Sequence, residues 1–199
     1  MMNKLWGGRF EGPTDELMER FNASLPFDRR LYRVDIAGSL AYAEGLREIG
    51  ILTEEEWRAI SDGLHRVERE IERGELGLPD RLEDIHTAIE VRLIELIGQA
   101  GGKLHTGRSR NEQVALDERL YLMESIDQLV ASILQSQSTL LGVAERHLDV
   151  TMPGYTHLQQ AQPILFSHYA MSLFWMLDRD RGRLSDCRRR VDCLPLGSG

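Results

Sequence analysis

The chain has 199 residues and 42% hydrophobic content, which is enough for one sizeable globular domain or two small ones. Its formal net charge of −8 argues against a general nucleic-acid binder and against attachment to a membrane through a basic surface. An anionic ligand would therefore need a local basic site.

The two cysteines, Cys187 and Cys193, stand without a signal-peptide pattern at the N-terminus. The simplest interpretation is reduced thiols in a cytoplasmic protein. The sequence has no CxxC pair, no HExxH motif and no glycine-rich phosphate-binding loop. We therefore expect neither a metal nor a cofactor.

Helical periodicity dominates the chain, and no segment shows the alternation of a strand. Thr53 and Glu56 form a capping box before a regular apolar pattern that Gly74 ends. The fold class is therefore expected to be all-α. Helices are predicted over residues 14–20, 28–49, 53–73, 83–97, 109–147 and 163–191, with a glycine-rich irregular stretch at 98–108.

The helix predicted from residue 109 to 147 would be about 60 Å long at 1.5 Å per residue, which exceeds the width of a domain this size. Such a helix needs partners along its whole length. We expect an N-terminal helical domain over residues 1–108, and the start of a long helical bundle over 109–199 that crosses subunit boundaries.

Residues 150–177 contain no charged side chain, although 28% of the whole chain is charged. We expect this segment to be buried, with a polar loop that leads into a helix at Pro163. The loop contains Tyr155, Thr156, His157 and three glutamines. It is either a buried loop whose polar groups satisfy one another or a site where His157 moves a proton.

Residues 97–111 contain three cations, Lys103, Arg108 and Arg110, and no carboxylate. This loop leads into the N-terminus of the long helix, where backbone N–H groups and arginine side chains suit a carboxylate or phosphate. An ordinary basic loop is the alternative. Taken with the uncharged stretch, it suggests an anionic small molecule bound by Ser109, Arg110, Asn111 and Thr156, with His157 for proton transfer.

His86 and Glu90 are four residues apart and share a helix face. Two groups are too few for a metal site, and a hydrogen-bonded pair is the plain interpretation.

Six stretches in order carry a resemblance to a known family. They are KLWGGRF at 4–10, FNAS at 21–24, EDIHTAIE at 83–90, GGKLHTGRSRN at 101–111, PGYTHLQQAQP at 153–163 and LPLGSG at 194–199. Together they resemble the aspartase/fumarase superfamily. The first and fourth resemble its argininosuccinate lyase branch in particular.

The resemblance implies cleavage of argininosuccinate to L-arginine and fumarate by acid/base β-elimination, in arginine biosynthesis and without a cofactor. It also implies a cytoplasmic homotetramer in which three subunits contribute to each active site, so that loops 98–111 and 150–163 of one chain would serve different sites. A sibling lyase acting on adenylosuccinate or aspartate, and a non-catalytic crystallin-like relative, are the alternatives.

Carried over residue by residue, the resemblance implies substrate binding by Ser24, Arg110, Asn111 and Thr156, and a further active-site histidine at His86. His157 matches the catalytic histidine, as either acid or base. Family members continue with a loop whose serine completes the proton-transfer pair, and the sequence ends at Gly199 before such a motif. The chain alone is therefore expected to be inactive.

Overall fold

The computed structural model describes residues 15–76 and 83–195, and helices dominate this part of the chain. The all-α class is confirmed, with one small hairpin. The helices are α1 (Glu16–Asn22), α2 (Leu25–Asp28), α3 (Tyr32–Glu48), α4 (Glu54–Glu72), α5 (Ile85–Ile97), α6 (Gln99–Gly102), α7 (Arg110–Arg146) and α8 (Phe166–Val191). The strands are β1 (Thr151–Thr156) and β2 (Gln159–Leu165), and short 3-10 turns cover Arg29–Leu31 and Lys103–His105. The motif at residues 4–10 and the last four residues of the chain lie outside the described ranges.

Side-chain caps set where the principal helices begin. The predicted capping box of α4 is present, because Thr53 Oγ1 accepts a hydrogen bond from Glu56 N and the Glu56 carboxylate accepts one from Thr53 N. Asp84 caps α5 in a similar way, with Oδ1 accepting from Thr87 N at 2.6 Å. The long helix α7 has 37 residues, close to its predicted length.

The chain divides into two compact units. Of the described residues, the first unit contains α1 to α6 and α7 as far as Asp117, and the second is Glu118–Pro195. The domain boundary between residues 108 and 109 stays a prediction.

The hydrophobic core of the first unit lies among α3, α4 and α5. Helices α4 and α5 approach closely at Gly63, where a Cβ atom would lie 2.6 Å from Leu93 Cδ1. Any side chain there would require the Leu93 side chain to move from its packed position. The core residues that are at most 1% exposed are Ile36, Ala43, Ile60, Leu64, Val67, Ile85 and Leu93.

In the second unit α8 runs back antiparallel along α7. Arg188 forms a forked ion pair with Asp127, at 2.7 and 3.1 Å. Further along α7, Gln137 is 4% exposed and donates from Nε2 to Phe174 O at 3.3 Å. This contact explains why a glutamine interrupts the apolar pattern of α7.

The expectation that no segment forms a strand is wrong for residues 151–165. These residues form an antiparallel hairpin in which Pro153 faces Pro163, and α8 begins at Phe166 rather than at Pro163. Proline cannot donate to a ladder but is tolerated in edge strands, and both strands of a two-stranded hairpin are edges. Backbone pairing across the turn therefore outweighs the helix-start signal of Pro163.

The expectation that residues 150–177 are buried is also wrong for the single chain. Tyr155 is 63% exposed, Leu158 98% and Trp175 56%. A hairpin of two strands has no second layer to cover it, and its backbone groups are satisfied by pairing and by solvent. Within the described ranges, no helix combines the length and apolar character needed to cross a bilayer.

Candidate active site

A cluster of two carboxylates and an imidazole lies buried in the first unit. Asp35 comes from α3, His86 from the first turn of α5, and Asp117 from α7; each side chain is at most 3% exposed. His86 Nδ1 lies 3.2 Å from Asp35 Oδ1 and 3.2 Å from Asp117 Oδ2. Three helices thus hold one ring nitrogen between two carboxylates.

The protonation of this cluster follows from opposing effects. Burial lowers the pKa of His86, but hydrogen bonds and charge from the two carboxylates outweigh burial and raise the pKa to about 9. Burial, with the nearby Asp35 charge, raises the pKa of Asp117 to about 7. For Asp35, burial is outweighed by hydrogen bonds from His86 and Gln113, and its pKa is lowered. At neutral pH the ring is therefore an imidazolium facing an ionised Asp35.

A second cation lies beside the cluster. Arg108 Nη1 donates to Ser39 Oγ at 2.9 Å, and the guanidinium lies 5.2 Å from the ring centre of Tyr42. Burial lowers the pKa of Arg108, whereas the charges of Asp35 and Asp117 oppose that shift. The guanidinium therefore helps to balance the two buried carboxylates.

Asp35, His86 and Arg108 line a small cavity of about 20 Å³, which has room for about one water molecule. His86, Glu90, Arg108 and Gln113 are among the residues that line it. These four side chains make their part of the cavity wall polar. The cavity therefore suits a hydrogen-bonding group of a ligand better than an apolar group.

The N-terminus of α7 carries three of the predicted binding residues. Ser109 caps the helix, since its Oγ accepts from Asn111 N at 3.2 Å and its N donates to Glu112 Oε2 at 2.9 Å. Arg110 donates from Nη2 to Glu90 Oε2 at 2.7 Å and from Nη1 to Gln113 Oε1. A guanidinium has five N–H donors, so Arg110 retains capacity for an anionic ligand.

Ser24 lies half-buried between α1 and α2 of the same unit. Its Oγ donates to Asp28 Oδ2 at 2.5 Å, and its N donates to Glu83 O at 2.7 Å. Asp28 Oδ1 in turn accepts from Ile85 N at 3.2 Å. These bonds connect the FNAS segment to the start of α5, one residue before His86.

Thr156 and His157 lie at the tip of the hairpin in the second unit, and both are exposed. Thr156 pairs with Gln159, and His157 and Leu158 form the two-residue turn between the strands, with φ of 50° and 59°. Two positive φ values match the primed turns whose twist suits a hairpin, although asparagine and glycine are the usual residues there. A histidine held in this conformation at an exposed tip is presented outward, where a ligand or partner can reach it.

Of the predicted site residues, the fold places Ser24, His86, Ser109, Arg110 and Asn111 in the first unit, and Thr156 and His157 in the second. Sequence reasoning missed Asp35, Asp117, Gln113 and the role of Arg108. The sequence did contain a signal for two of them. Gln113 and Asp117 lie three or four residues from Leu116 and Leu120, and therefore on the apolar face of α7.

Comparisons with known proteins agree with this architecture. Residues 8–199 match the model of a family described as Lyase. The chain is 56% identical over 196 residues to argininosuccinate lyase of Thioalkalivibrio sulfidiphilus, covering 98% of this chain and 42% of that protein. It is 52% identical over 198 residues to argininosuccinate lyase of Pelotomaculum thermopropionicum, covering 100% of this chain and 43% of that protein.

Among solved structures, a variant of EDDS lyase with bound fumarate has a TM-score of 0.75 and 28% identity, covering 94% of this chain and 37% of that chain. The alignment with this lyase shows that the chain has the same mainly helical fold. The chain belongs to the lyase family whose model matches residues 8–199. It spans about 42% of the length of the curated relatives that it matches.

Proposed function

We propose that the protein is an argininosuccinate lyase that cleaves argininosuccinate to L-arginine and fumarate in arginine biosynthesis. The observation that carries this proposal is the identity of 52 to 56% with argininosuccinate lyases across almost the whole chain, including both loops that carry the predicted site residues. The reaction requires proton transfer and stabilisation of negative charge, and no cofactor is proposed. A cytoplasmic location is part of the same proposal.

The N-terminus of α7 is proposed as the site for a substrate carboxylate. Arg110 offers a guanidinium that is partly exposed and paired with Glu90, and the helix start adds backbone N–H groups and a favourable dipole. Ser109 and Asn111 lie in the same turn, and Ser24 and His86 belong to the same unit. These five residues are proposed to bind substrate, together with Thr156.

His157 is proposed to transfer the proton in β-elimination. A base removes the proton from the carbon next to a carboxylate, giving a dianionic aci-carboxylate. An acid then protonates the guanidino nitrogen as the C–N bond breaks, and fumarate and arginine leave. An exposed imidazole on a short turn suits either step, because a neutral ring accepts a proton and an imidazolium donates one.

We further propose a homotetramer in which loops 98–111 and 150–163 of one chain serve different active sites. The second unit supports this proposal through large apolar side chains that the single chain leaves exposed, such as Leu122, Leu129 and Leu141 on α7 and Trp175 and Met176 on α8. On α7, Leu122 and Leu129 are seven residues apart, and so are the exposed Leu134 and Leu141, which is the repeat of packed long helices. Burial of residues 150–177 would then occur between subunits.

The test is fumarate release, followed by ultraviolet absorbance, from the product of the full coding sequence with argininosuccinate, adenylosuccinate and aspartate as separate substrates. The expected result is fumarate release from argininosuccinate and not from adenylosuccinate or aspartate. Release only from another substrate would replace the proposal with a sibling lyase. Absence of release from all three by a folded protein would indicate a non-catalytic relative.

Arg110→Ala is expected to raise KM for argininosuccinate roughly 10- to 100-fold, because a charge-assisted hydrogen bond to a carboxylate contributes about 1.5–3 kcal/mol. Steady-state kinetics on the same full-length product measures the change. Arg58→Ala is the matched control, since Arg58 is an exposed residue that pairs with Glu54 on its own helix. Equal KM values for wild type and Arg110→Ala would reject the anion site.

A further inference from the structure

We propose that Asp35 and Asp117 are positioning residues that hold His86 as a fixed, positively charged donor, with Nε2 available to a substrate carboxylate. The identity of the ligand rests on the proposed function. The charge and orientation of His86 rest on the geometry of the buried cluster alone.

The proton on Nδ1 follows from the contacts. His86 Nδ1 lies 3.2 Å from one oxygen of each carboxylate. Above the Asp117 pKa of about 7, a lone pair on Nδ1 would face negative oxygens on both sides and would be repelled by them, so Nδ1 carries a hydrogen. The remaining choice concerns Nε2, which is an acceptor in the neutral ring and a donor in the imidazolium.

The charges around the ring decide that choice. His86 is 3% exposed, and among the described residues Asp117 has no partner besides the His86 ring and a hydrogen bond shared with Asp35 when one of the two carboxyls is protonated. Two buried carboxylates with so few donors favour a cation between them. The raised pKa of His86, about 9, agrees with this conclusion. The charged or titratable groups near the ring are Asp28 from α2, Asp35 from α3, Glu90 from α5, His105 from the second 3-10 turn, Arg108 from the loop before α7, and Asp117 from α7.

Two of these neighbours already have partners of their own. Glu90 pairs with Arg110 at 2.7 Å, and Asp28 accepts hydrogen bonds from Ser24 and Ile85. Arg108 contributes the second positive charge beside Asp35 and Asp117. The imidazolium and the guanidinium together balance the two carboxylates, which leaves little attraction for a metal ion in their place.

The fixed ring has a direct use in β-elimination. Gln113 Nε2 donates to the same Asp35 oxygen that faces His86, so helices α3, α5 and α7 all restrict the orientation of the ring. A donor that is already charged and oriented needs no rearrangement when negative charge develops on the substrate. His86 would therefore stabilise the aci-carboxylate, with Asp35 and Asp117 acting through it.

The alternative is that the cluster only joins three helices. Whichever role is right, Asp35→Asn and Asp117→Asn should each destabilise the protein. Stability measurements therefore do not distinguish the two roles. A neutral His86 would leave only the structural role, because a purely structural hydrogen bond is made equally well by a neutral ring with its proton on Nδ1. For a charged His86, the pH dependence of turnover separates the two roles.

The experiment is a pH titration of the protein labelled with ¹⁵N-histidine, in which NMR shifts distinguish imidazolium from each neutral tautomer. His86→Gln identifies the His86 signals by their loss. The expected result is an imidazolium up to a midpoint at about pH 9. A ring that is already neutral at pH 8 would overturn the proposal. Through-bond assignment from the backbone to the ring identifies His86 without a variant, so this wild-type result decides even if His86→Gln does not fold.

Folded variants test the two carboxylates. Asp35→Asn and Asp117→Asn are each expected to lower the His86 midpoint by about 1 to 3 pH units, since each removes one opposite charge. The matched control is Asp62→Asn, which changes an exposed carboxylate on α4 and should leave the midpoint unchanged. If neither cluster variant moves the midpoint, the assignment of Asp35 and Asp117 is wrong.

Kinetics on the full-length product separates this inference from the proposed function. Asp117→Asn is expected to lower turnover of argininosuccinate most strongly at the high-pH end of the profile, where its His86 has lost its charge and the wild-type ring has not. Fumarate release by a wild type whose His86 is neutral would reject the inference and keep the function. A charged His86 in a protein that releases no fumarate would reject the function and keep the geometry of the cluster.

Discussion

His157→Asn in the full-length product is expected to lower kcat roughly 10²- to 10⁴-fold with little change in KM, the range associated with loss of a general acid or base. Asparagine tolerates the positive φ of this turn position, so the hairpin should keep its shape. The effect can then be assigned to the loss of proton transfer. Steady-state fumarate release measures both constants.

The matched control is His65→Asn, which makes the same change at an exposed position of α4 whose Nδ1 contacts Ser61 O of the same helix. Its kcat should equal that of wild type. Retained turnover in His157→Asn would exclude His157 from the mechanism. A rise in KM with unchanged kcat would instead assign His157 to substrate binding.

The helices were predictable because their signals are local. The capping box at Thr53 and Glu56, the apolar period of α4 and the positive-φ Gly74 that follows it all lie within one short segment. The length of α7 was also predictable from an apolar pattern that continues past a single polar interruption at Gln137. The helix predicted from residue 28 in fact begins at Tyr32. The short helix α2 and a 3-10 turn precede it, and no capping signal in the sequence indicated them.

The hairpin was not predictable in the same way. Its turn is His157–Leu158 rather than asparagine and glycine, and each strand contains a proline, at 153 and 163. These residues oppose a strand assignment when considered one at a time. The pairing that stabilises the hairpin connects positions up to 14 residues apart, such as Thr151 with Leu165, and no local rule detects it.

The candidate site was predictable where it lies on a helix start. Ser109, Arg110 and Asn111 were identified from the absence of carboxylates near a helix N-terminus, which is a local property. Asp35 and Asp117 are 82 positions apart and meet at His86 only because three helices pack together. A charged residue within the apolar stretch VDIAG is the one local sign that Asp35 is buried.

Leu64→Ala in the chain is expected to reduce the free energy of unfolding of the first unit by about 2–5 kcal/mol, through lost apolar burial and the cavity left behind. Leu64 is fully buried in the core formed with α3 and α5. The close approach of α4 and α5 at Gly63 limits how far the neighbours can move to fill the space. Urea unfolding followed by circular dichroism measures the loss.

Leu17→Ala is the matched control, because it removes the same atoms from a side chain that is 67% exposed on α1. Its unfolding free energy should remain within about 0.5 kcal/mol of wild type. A small effect of Leu64→Ala would mean that α4 is not fixed against α3 and α5. The cluster of Asp35, His86 and Asp117 depends on that same packing, since α3 and α5 carry two of its three members. A loose core would therefore also weaken the argument for a fixed His86.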